Sequence, residues 1–490
     1  MDLPNRLSSL VRLDIRITGS DNRVLALPAI PDRPEALRSV FRRVEGLSRA
    51  EAVRELDGVR RVFDRRHRDL AACLEENYLA AALRIGAPSV HAEPHRSLLG
   101  AYFTMEYTLE AAALFNPSIV PHPKQSGAPQ GGLRFVMSLR AVGEGHLSST
   151  VFREGTIGMD GGVKLDDAPA RAIRARARPD QRYLKQFFRR KLAYFGADLA
   201  EADRLLGNLG EWFTFDELGG VLASARRGPH PPAERVLDGM LALANANYSL
   251  SLPPGGRISD LIMFPQSPYE ARGIEDLRMV RFTEPDGSGT YYGTYTAFDG
   301  RRILPMLMQT DDFRTVKVYT LNGDCAINKG LALFPRRIRG RYLMCSRIDG
   351  QNLFIMDSDR VTFWETAELL AEPAVPWEYR LIGNCGSPIE TPEGWLLLTH
   401  GVGPMRQYSI GAMLLDLEDP RKIRGRLREP LLVPPESLRD GYVPNVVYTC
   451  GVLLHAGRLF IPYAAADEVT VMARVDLDEL VRQLLADGTG

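Results

Sequence analysis

The chain of 490 residues has no apolar run long enough to span a bilayer. Met1 to Ser20 mixes Arg and Asp with short apolar runs and has no signal-peptide core. Together these absences predict a cytoplasmic protein without a membrane partner. Only five cysteines occur (Cys73, Cys325, Cys345, Cys385 and Cys450), and none forms a CxxC pair. An odd, scattered set fits reduced thiols and argues against a disulfide framework or a zinc site. Eight histidines show no ligand spacing, so no metal is expected. Neither sign of charge dominates, with 61 basic against 61 acidic residues, which removes the footprint of a nucleic-acid partner. Also missing are a Walker A loop, a G-x-S-x-G elbow, an H-E-x-x-H pair and a G-x-G-x-x-G turn before a helix.

What is present divides into two halves, within a length that allows two or three domains. In the first, Val11 to Leu27 reads as one or two strands. Ser48-Arg-Ala-Glu51 has the pattern of a capping box, opening a helical stretch to about Leu83. The spacing of Leu99, Phe103, Tyr107 and Leu114 predicts a second helix from about Ser97 to Leu114. A β-rich interval follows, Ser118 to about Lys164, and then helical patterns from about Gln181 to Asn245. The basic run Arg171 to Arg178 reads as a solvated face or a helix end. Cys385, in the Gly-flanked turn Gly383-Asn-Cys-Gly386, reads as a structural thiol.

From Tyr248 onward the pattern is β, punctuated by Asp286-Gly287, Asp299-Gly300, Asn322-Gly323, Asp349-Gly350 and Glu393-Gly394. A repeat runs through it. Strands beginning at Tyr292, Tyr342, Trp395 and Leu459 lie 50, 53 and 64 residues apart, and each precedes a second strand. An earlier copy is Phe135 to Arg140, followed by Ser148 to Ile157. Five units at this spacing predict a mainly β fold, a five-bladed β-propeller, in preference to an irregular sandwich. The expected organisation is an N-terminal β/helical accessory region (1–100), a first propeller segment (101–165), a helical insertion (166–246) and the remaining blades (247–490).

In such a repeat, equivalent strand ends converge on one polar funnel, the default place for a small-molecule site. Arg140, Arg347, His400 and Asp467 fall at or just beyond such ends. The loop and strand Gly273-Ile-Glu-Asp-Leu-Arg278 add two carboxylates and a guanidinium. The inventory is therefore acids (Glu270, Glu275, Asp276, Glu390, Asp467) and cations (Arg140, Arg278, Lys329, Arg347, His400). Cleaving a glycosidic bond needs one acid for the leaving oxygen and a nucleophile on the opposite face of the sugar. If the nucleophile is water, a second carboxylate must activate it. If it is phosphate, a cationic cluster must hold it. Each residue taken alone also has a structural reading, as a surface ion pair, a paired arginine or a turn histidine.

The ordered set of these segments resembles glycoside hydrolase family 130, the β-mannoside phosphorylases and related β-mannosidases. The resemblance is carried by Phe115-Asn-Pro117, the strand ending at Arg140, Glu270 with Gly273 to Arg278, Tyr295-Thr-Ala297, Lys329 through Pro335, Thr399-His-Gly-Val402, Ile410 to Pro420, Val443 to Val447 and Tyr463 to Asp467. It covers about 100–160 and 245–480. It implies a five-bladed propeller and an inverting attack on a β-mannoside. Asp276 matches the family's proton donor, which in part of the family acts through a sugar hydroxyl. Lys329, His400 and Arg347 would face phosphate, a co-substrate, with no other cofactor. Asn116, Arg140, Glu275, Arg278 and Asp467 would bind the mannoside. The expected products are α-mannose 1-phosphate and a shortened acceptor. The alternatives are an inverting β-mannosidase, with Glu270 or Glu390 activating water about 6.5–9.5 Å from Asp276, or a non-catalytic sugar-binding propeller. Leu277 departs from the family's usual proline. Residues 1–100 are expected to shape outer subsites or form a homo-oligomer interface.

Overall fold

A computed structural model describes residues 7–86, 91–169 and 172–489. Residues 1–6 and 87–90 of the N-terminal region and Arg171 of the basic run therefore lie outside the described residues. The fold is mainly β, with several antiparallel sheets and nine helices among the described residues. None of those helices is long and apolar enough to cross a membrane.

The N-terminal region packs four helices: α1 (Pro34–Glu45), α2 (Arg49–Phe63), α3 (Leu70–Arg84) and α4 (His95–Tyr102). Ser48 and Glu51 form the expected capping box, each side chain satisfying the other's backbone N–H at the start of α2. The stretch to Leu83 is broken into two helices, because the chain turns after Phe63. Phe41, Val44, Tyr78, Leu99 and Phe103 fill the small core between the helices. The helix foreseen to Leu114 ends at Tyr102. Thr104–Thr108 is a strand paired with Val24–Pro28, and Ala113–Pro121 is another. Leu99, Phe103, Tyr107 and Leu114 are all buried, but from three different elements. Burial alone produced their helix-like spacing.

Ten strands of the repeat are in place, and they organise five antiparallel groups. The first contains Ala113–Pro121, Leu133–Val142 and Ser148–Ile157. The second is Gly273–Thr283, Gly289–Phe298, Ile303–Thr310 and Thr315–Thr320. It joins the first through one parallel contact, Gly273 with Ser148. The third runs Ala332–Leu333, Tyr342–Ser346, Leu353–Ser358 and Thr366–Ala371. The fourth runs Leu381–Asn384, Gly394–Val402, Tyr408–Leu415 and Ile423–Arg426. The fifth contains Val447–Tyr448, Arg458–Ala465 and Val469–Asp476. Its outer strand is Val11–Ile17, which pairs with Val469–Asp476 from the far end of the chain. Residues 11–17 thus belong to the C-terminal sheet and not to the helical accessory region.

The segment foreseen as a helical insertion carries α5 (Lys185–Tyr194), α6 (Leu199–Leu206), α7 (Phe215–Arg226) and α8 (Glu234–Asn245). Leu192, Leu205, Phe213, Leu237 and Met240 share one apolar core with Tyr248, on the short strand Tyr248–Ser251, and with Met306, Val316 and Val318 of the second group. The helices are therefore packed onto the sheet. The basic run contributes two short strands, Ile173–Arg174 and Arg176–Arg178. A last helix, α9 (Leu477–Asp487), packs against the fourth and fifth groups.

Candidate active site

Two irregularities of the same kind build the centre of the site. In Ala113–Pro121 the register slips between Phe115 and Ser118, and in Gly273–Thr283 it slips between Glu275 and Arg278. Each slip is a β-bulge, which re-aims a side chain that a regular strand would send to one face. The bulged residues are Asn116 (φ 49°) and Asp276 (φ 57°), both in the left-handed region that non-glycine residues rarely occupy. Such strain persists only where the surroundings impose it, and it clusters at functional sites. Here the two side chains meet: Asn116 Nδ2 donates to Asp276 Oδ1 at 2.7 Å.

Around that pair the charges interlock. Arg140 donates to Asp276 Oδ1 at 3.4 Å and to Glu275 Oε1 at 2.9 Å. Lys329 Nζ donates to the other oxygen of Glu275. Arg278 turns back to the Asp276 carbonyl at 3.0 Å and donates to the Tyr448 hydroxyl at 2.6 Å. The Tyr448 ring packs edge-on against His400, with centroids 4.8 Å apart. Arg347 Nη1 lies 3.1 Å from His400 Nε2. Asn328 donates to the Arg347 carbonyl and accepts from the Lys329 N–H, closing the circuit. Gly383 has room for no side chain, because a Cβ there would lie 2.6 Å from His400 Cε1. Asp467 (φ 51°) follows Ala466 in the turn between the last two strands and exerts its charge on Asp276 and Arg140.

The structure therefore brings together Asn116, Arg140, Glu275, Asp276, Arg278, Lys329, Arg347 and His400 through direct contacts, with Asp467 beside them. Burial alone would raise the Asp276 carboxyl. Arg140, Arg278 and Lys329, with the hydrogen bond from Asn116, outweigh burial and hold it below the usual carboxylate range. Asp467 goes the other way: burial and the Asp276 charge lift it to about 7 against Arg140 and Arg406.

His400 corrects an expectation. It was counted as a cation, but burial and the neighbouring Arg347 and Arg278 push its pKa well below the ordinary value, so the ring is neutral. Its Nδ1 faces the Asn384 carbonyl at 3.2 Å. That contact places the proton on Nδ1 and leaves Nε2 to accept from Arg347.

Two other expectations change. Glu270 is fully buried and accepts from the hydroxyls of Tyr248 and Tyr295 and from the N–H groups of Gln266 and Ser267. Glu390 is clasped by Arg336 through both oxygens, beside a separate cavity that also includes Ile119, Arg281 and Leu453. Both carboxylates are therefore occupied by these partners. Trp364 and Trp395 are wholly buried and belong to the core. The Cys385 thiol is buried and pushed up to about 12, as befits a structural thiol.

Sequence reasoning missed Tyr448, Asn384 and Asn328. Tyr448 lies one residue beyond the motif Val443 to Val447, and Asn384 lies in the turn considered only for its cysteine. Several buried polar atoms of the site have no partner among the described residues: Asn116 Oδ1, Asn384 Oδ1 and the Nε of Arg140, Arg278 and Arg347. A native interior leaves few such groups, and their gathering here marks a place built for a polar ligand.

A family model described as beta-1,4-mannooligosaccharide phosphorylase, that of glycoside hydrolase family 130, matches residues 257–485. A 1,2-beta-oligomannan phosphorylase of Thermoanaerobacter sp. (strain X514) is 32% identical over 236 residues, 46% of this chain and 75% of the relative. The chain belongs to glycoside hydrolase family 130. Another member, the Beta-1,4-mannooligosaccharide phosphorylase of Ruminococcus albus, is 35% identical over 184 residues, 35% of this chain and 55% of that protein. Among solved structures, the Beta-1,2-Mannobiose phosphorylase of Listeria innocua is 19% identical, with a TM-score of 0.46 over 78% of this chain and 93% of that one. The family match begins after the helical insertion, so α1 to α8 lie outside it.

Proposed function

We propose that this family 130 protein is a β-mannoside phosphorylase. The observation that carries the reading is the charge balance of the site. Arg140 and Lys329 are paired with Glu275 and Asp276, whereas Arg278 and Arg347 meet no carboxylate side chain among the described residues. Two positive charges are left over, enough for a phosphate dianion. The two carboxylates expected to activate water in a hydrolase, Glu270 and Glu390, are both engaged elsewhere.

In this reading Lys329 and Arg347 hold phosphate, with His400 fixing the Arg347 guanidinium. A phosphate oxygen attacks the anomeric carbon from the face opposite the leaving oxygen. The C–O bond to the acceptor sugar breaks, and that oxygen takes a proton. The products are α-mannose 1-phosphate and a shortened acceptor. Asp276 supplies the proton, directly or through a sugar hydroxyl that it reprotonates. Phosphate binding cancels the potential that keeps Asp276 ionised, which raises its proton affinity. Asp467 is the neighbouring carboxyl that retains a proton to near neutral pH. Asn116, Arg140, Glu275 and Arg278 bind the mannoside.

The architecture that fits this is a five-bladed propeller whose blades are the five antiparallel groups. Their first strands supply Asn116, Asp276, Asn384 and Tyr448 to the site, and Lys329 lies just ahead of Ala332–Leu333. Further along, all five contribute to the cavity beside Glu390. In that architecture the pairing of Val11–Ile17 with Val469–Asp476 would complete the last blade with a strand from the other end of the chain, which supports the reading.

Incubating the enzyme with β-1,2- and β-1,4-mannobiose, with and without phosphate, tests the reading. Phosphate-dependent formation of α-mannose 1-phosphate is expected. Release of free mannose at the same rate without phosphate would overturn it.

A further inference from the structure

The helical insertion lies outside the family match, and it builds one wall of a cavity of about 360 Å³. The opposite wall comes from the second and third strand groups, at Tyr319, Thr320, Asn322, Tyr342 and Arg360 to Thr362. Lys191 of α5 lines this cavity and is only 5% exposed. Its ammonium lies 5.1 Å from the centre of the Tyr194 ring, and among the described residues no carboxylate pairs with it. The nearby acids Asp324 and Glu365 are both taken by Arg190. A buried ammonium without a counter-ion is costly, and proteins rarely keep one unless an anion joins it. Burial, with the Arg190 charge, lowers its pKa to about 8, which leaves it charged at neutral pH.

Flat apolar surface surrounds that charge. Phe187 stacks on Phe363 at 4.5 Å, and the Arg360 guanidinium sits 5.7 Å from the Phe187 ring. Trp212 is 48% exposed beside the Arg182 guanidinium, 6.0 Å from the ring centre. Asp359 is the one carboxylate on the cavity's lining among the described residues. Arg182, Lys191 and Arg360 outnumber Asp359 on the lining and Asp180, which acts on Tyr183 and Tyr319, and this positive excess beside aromatic rings suits an anion that also carries a flat face.

We propose that this cavity is a second ligand site for an organic phosphate, with the phosphate on Lys191 and the sugar or base against Trp212 and Tyr319. Asn322 lines the cavity and shares a loop with Lys329, so an occupant would touch the segment that carries the active-site lysine.

Equilibrium dialysis of the full chain with radiolabelled α-mannose 1-phosphate tests this, with AMP and inorganic phosphate as competitors. The wild type is expected to bind two equivalents, and Lys191→Met and Lys329→Ala one each. Trp212→Ala, at an exposed position, is expected to weaken the second site about tenfold or more, the usual cost of a lost aromatic anchor. Lys191→Met should keep basal phosphorolysis, which also reports that it folds. Two equivalents in Lys191→Met, or one in the wild type, would overturn the proposal. Competition by inorganic phosphate as strong as by either organic phosphate would remove the role of the aromatic wall. Stronger competition by AMP than by the unlabelled sugar phosphate would identify a nucleotide as the occupant.

Discussion

Asn116 and Asp276 occupy matching bulges on two strands 160 residues apart, and their side chains meet at 2.7 Å. The amide donates to the carboxylate, so it both aims Asp276 and favours its ionised form. Asn116→Ala is expected to lower kcat/KM for phosphorolysis about 10- to 100-fold, as fits a lost hydrogen bond to a charged group. With one stabiliser of the carboxylate gone, the Asp276 pKa rises. The alkaline limb of the pH–rate profile, where the proton donor ionises, should therefore move to higher pH. An unmoved limb would show that Asn116 acts only on the fold.

Lys329 spans Glu275 and the proposed phosphate position. Lys329→Ala should raise the KM for phosphate about tenfold or more, the scale of a lost charge-assisted contact. The affinity for mannobiose, measured by calorimetry without phosphate, should change much less. Equal losses for both ligands would place Lys329 in the sugar site instead.

Asp467 gives a stability signature with a defined sign. Its folded-state pKa of about 7 lies above the ordinary value of 3.8, so the folded protein binds a proton that the unfolded chain releases. Stability from this group is therefore present below pH about 4 and is lost as the pH rises to about 7. Asp467→Asn removes that dependence. Thermal melts from pH 4 to pH 8 should show the wild type losing Tm relative to the variant up to about pH 7 and then running parallel. Parallel curves throughout would mean that Asp467 is ionised from low pH.

Glu270 accepts four hydrogen bonds in a fully buried position. Glu270→Gln turns an amide N–H donor towards donors and should destabilise the fold by about 1–3 kcal/mol, read by denaturant unfolding. It should leave the ratio of phosphorolysis to hydrolysis unchanged. A variant of normal stability that had lost all turnover would return Glu270 to the catalytic machinery.

Much of this was legible in the chain. Strand alternation and Asp-Gly or Asn-Gly turns are local signals, so the repeat strands could be read without the fold. Several charged groups of the site could also be found, because Arg140, Arg347, His400 and Asp467 lie near or just beyond the ends of those strands. The second helix failed because Leu99, Phe103, Tyr107 and Leu114 share burial and not a helix face. The pairing of Val11–Ile17 with Val469–Asp476 has no local mark, since two distant segments meet only when the sheets assemble.

The sequence determined which groups exist and roughly where along the strands they sit. It determined neither their charge nor their aim. His400 is neutral and Asp467 protonated to near pH 7 because burial penalises charge and the neighbours set its sign. Asn116 and Asp276 face one another because two bulges turn them there. A pKa and a bulge are properties of surroundings, and surroundings come into being only with the tertiary structure.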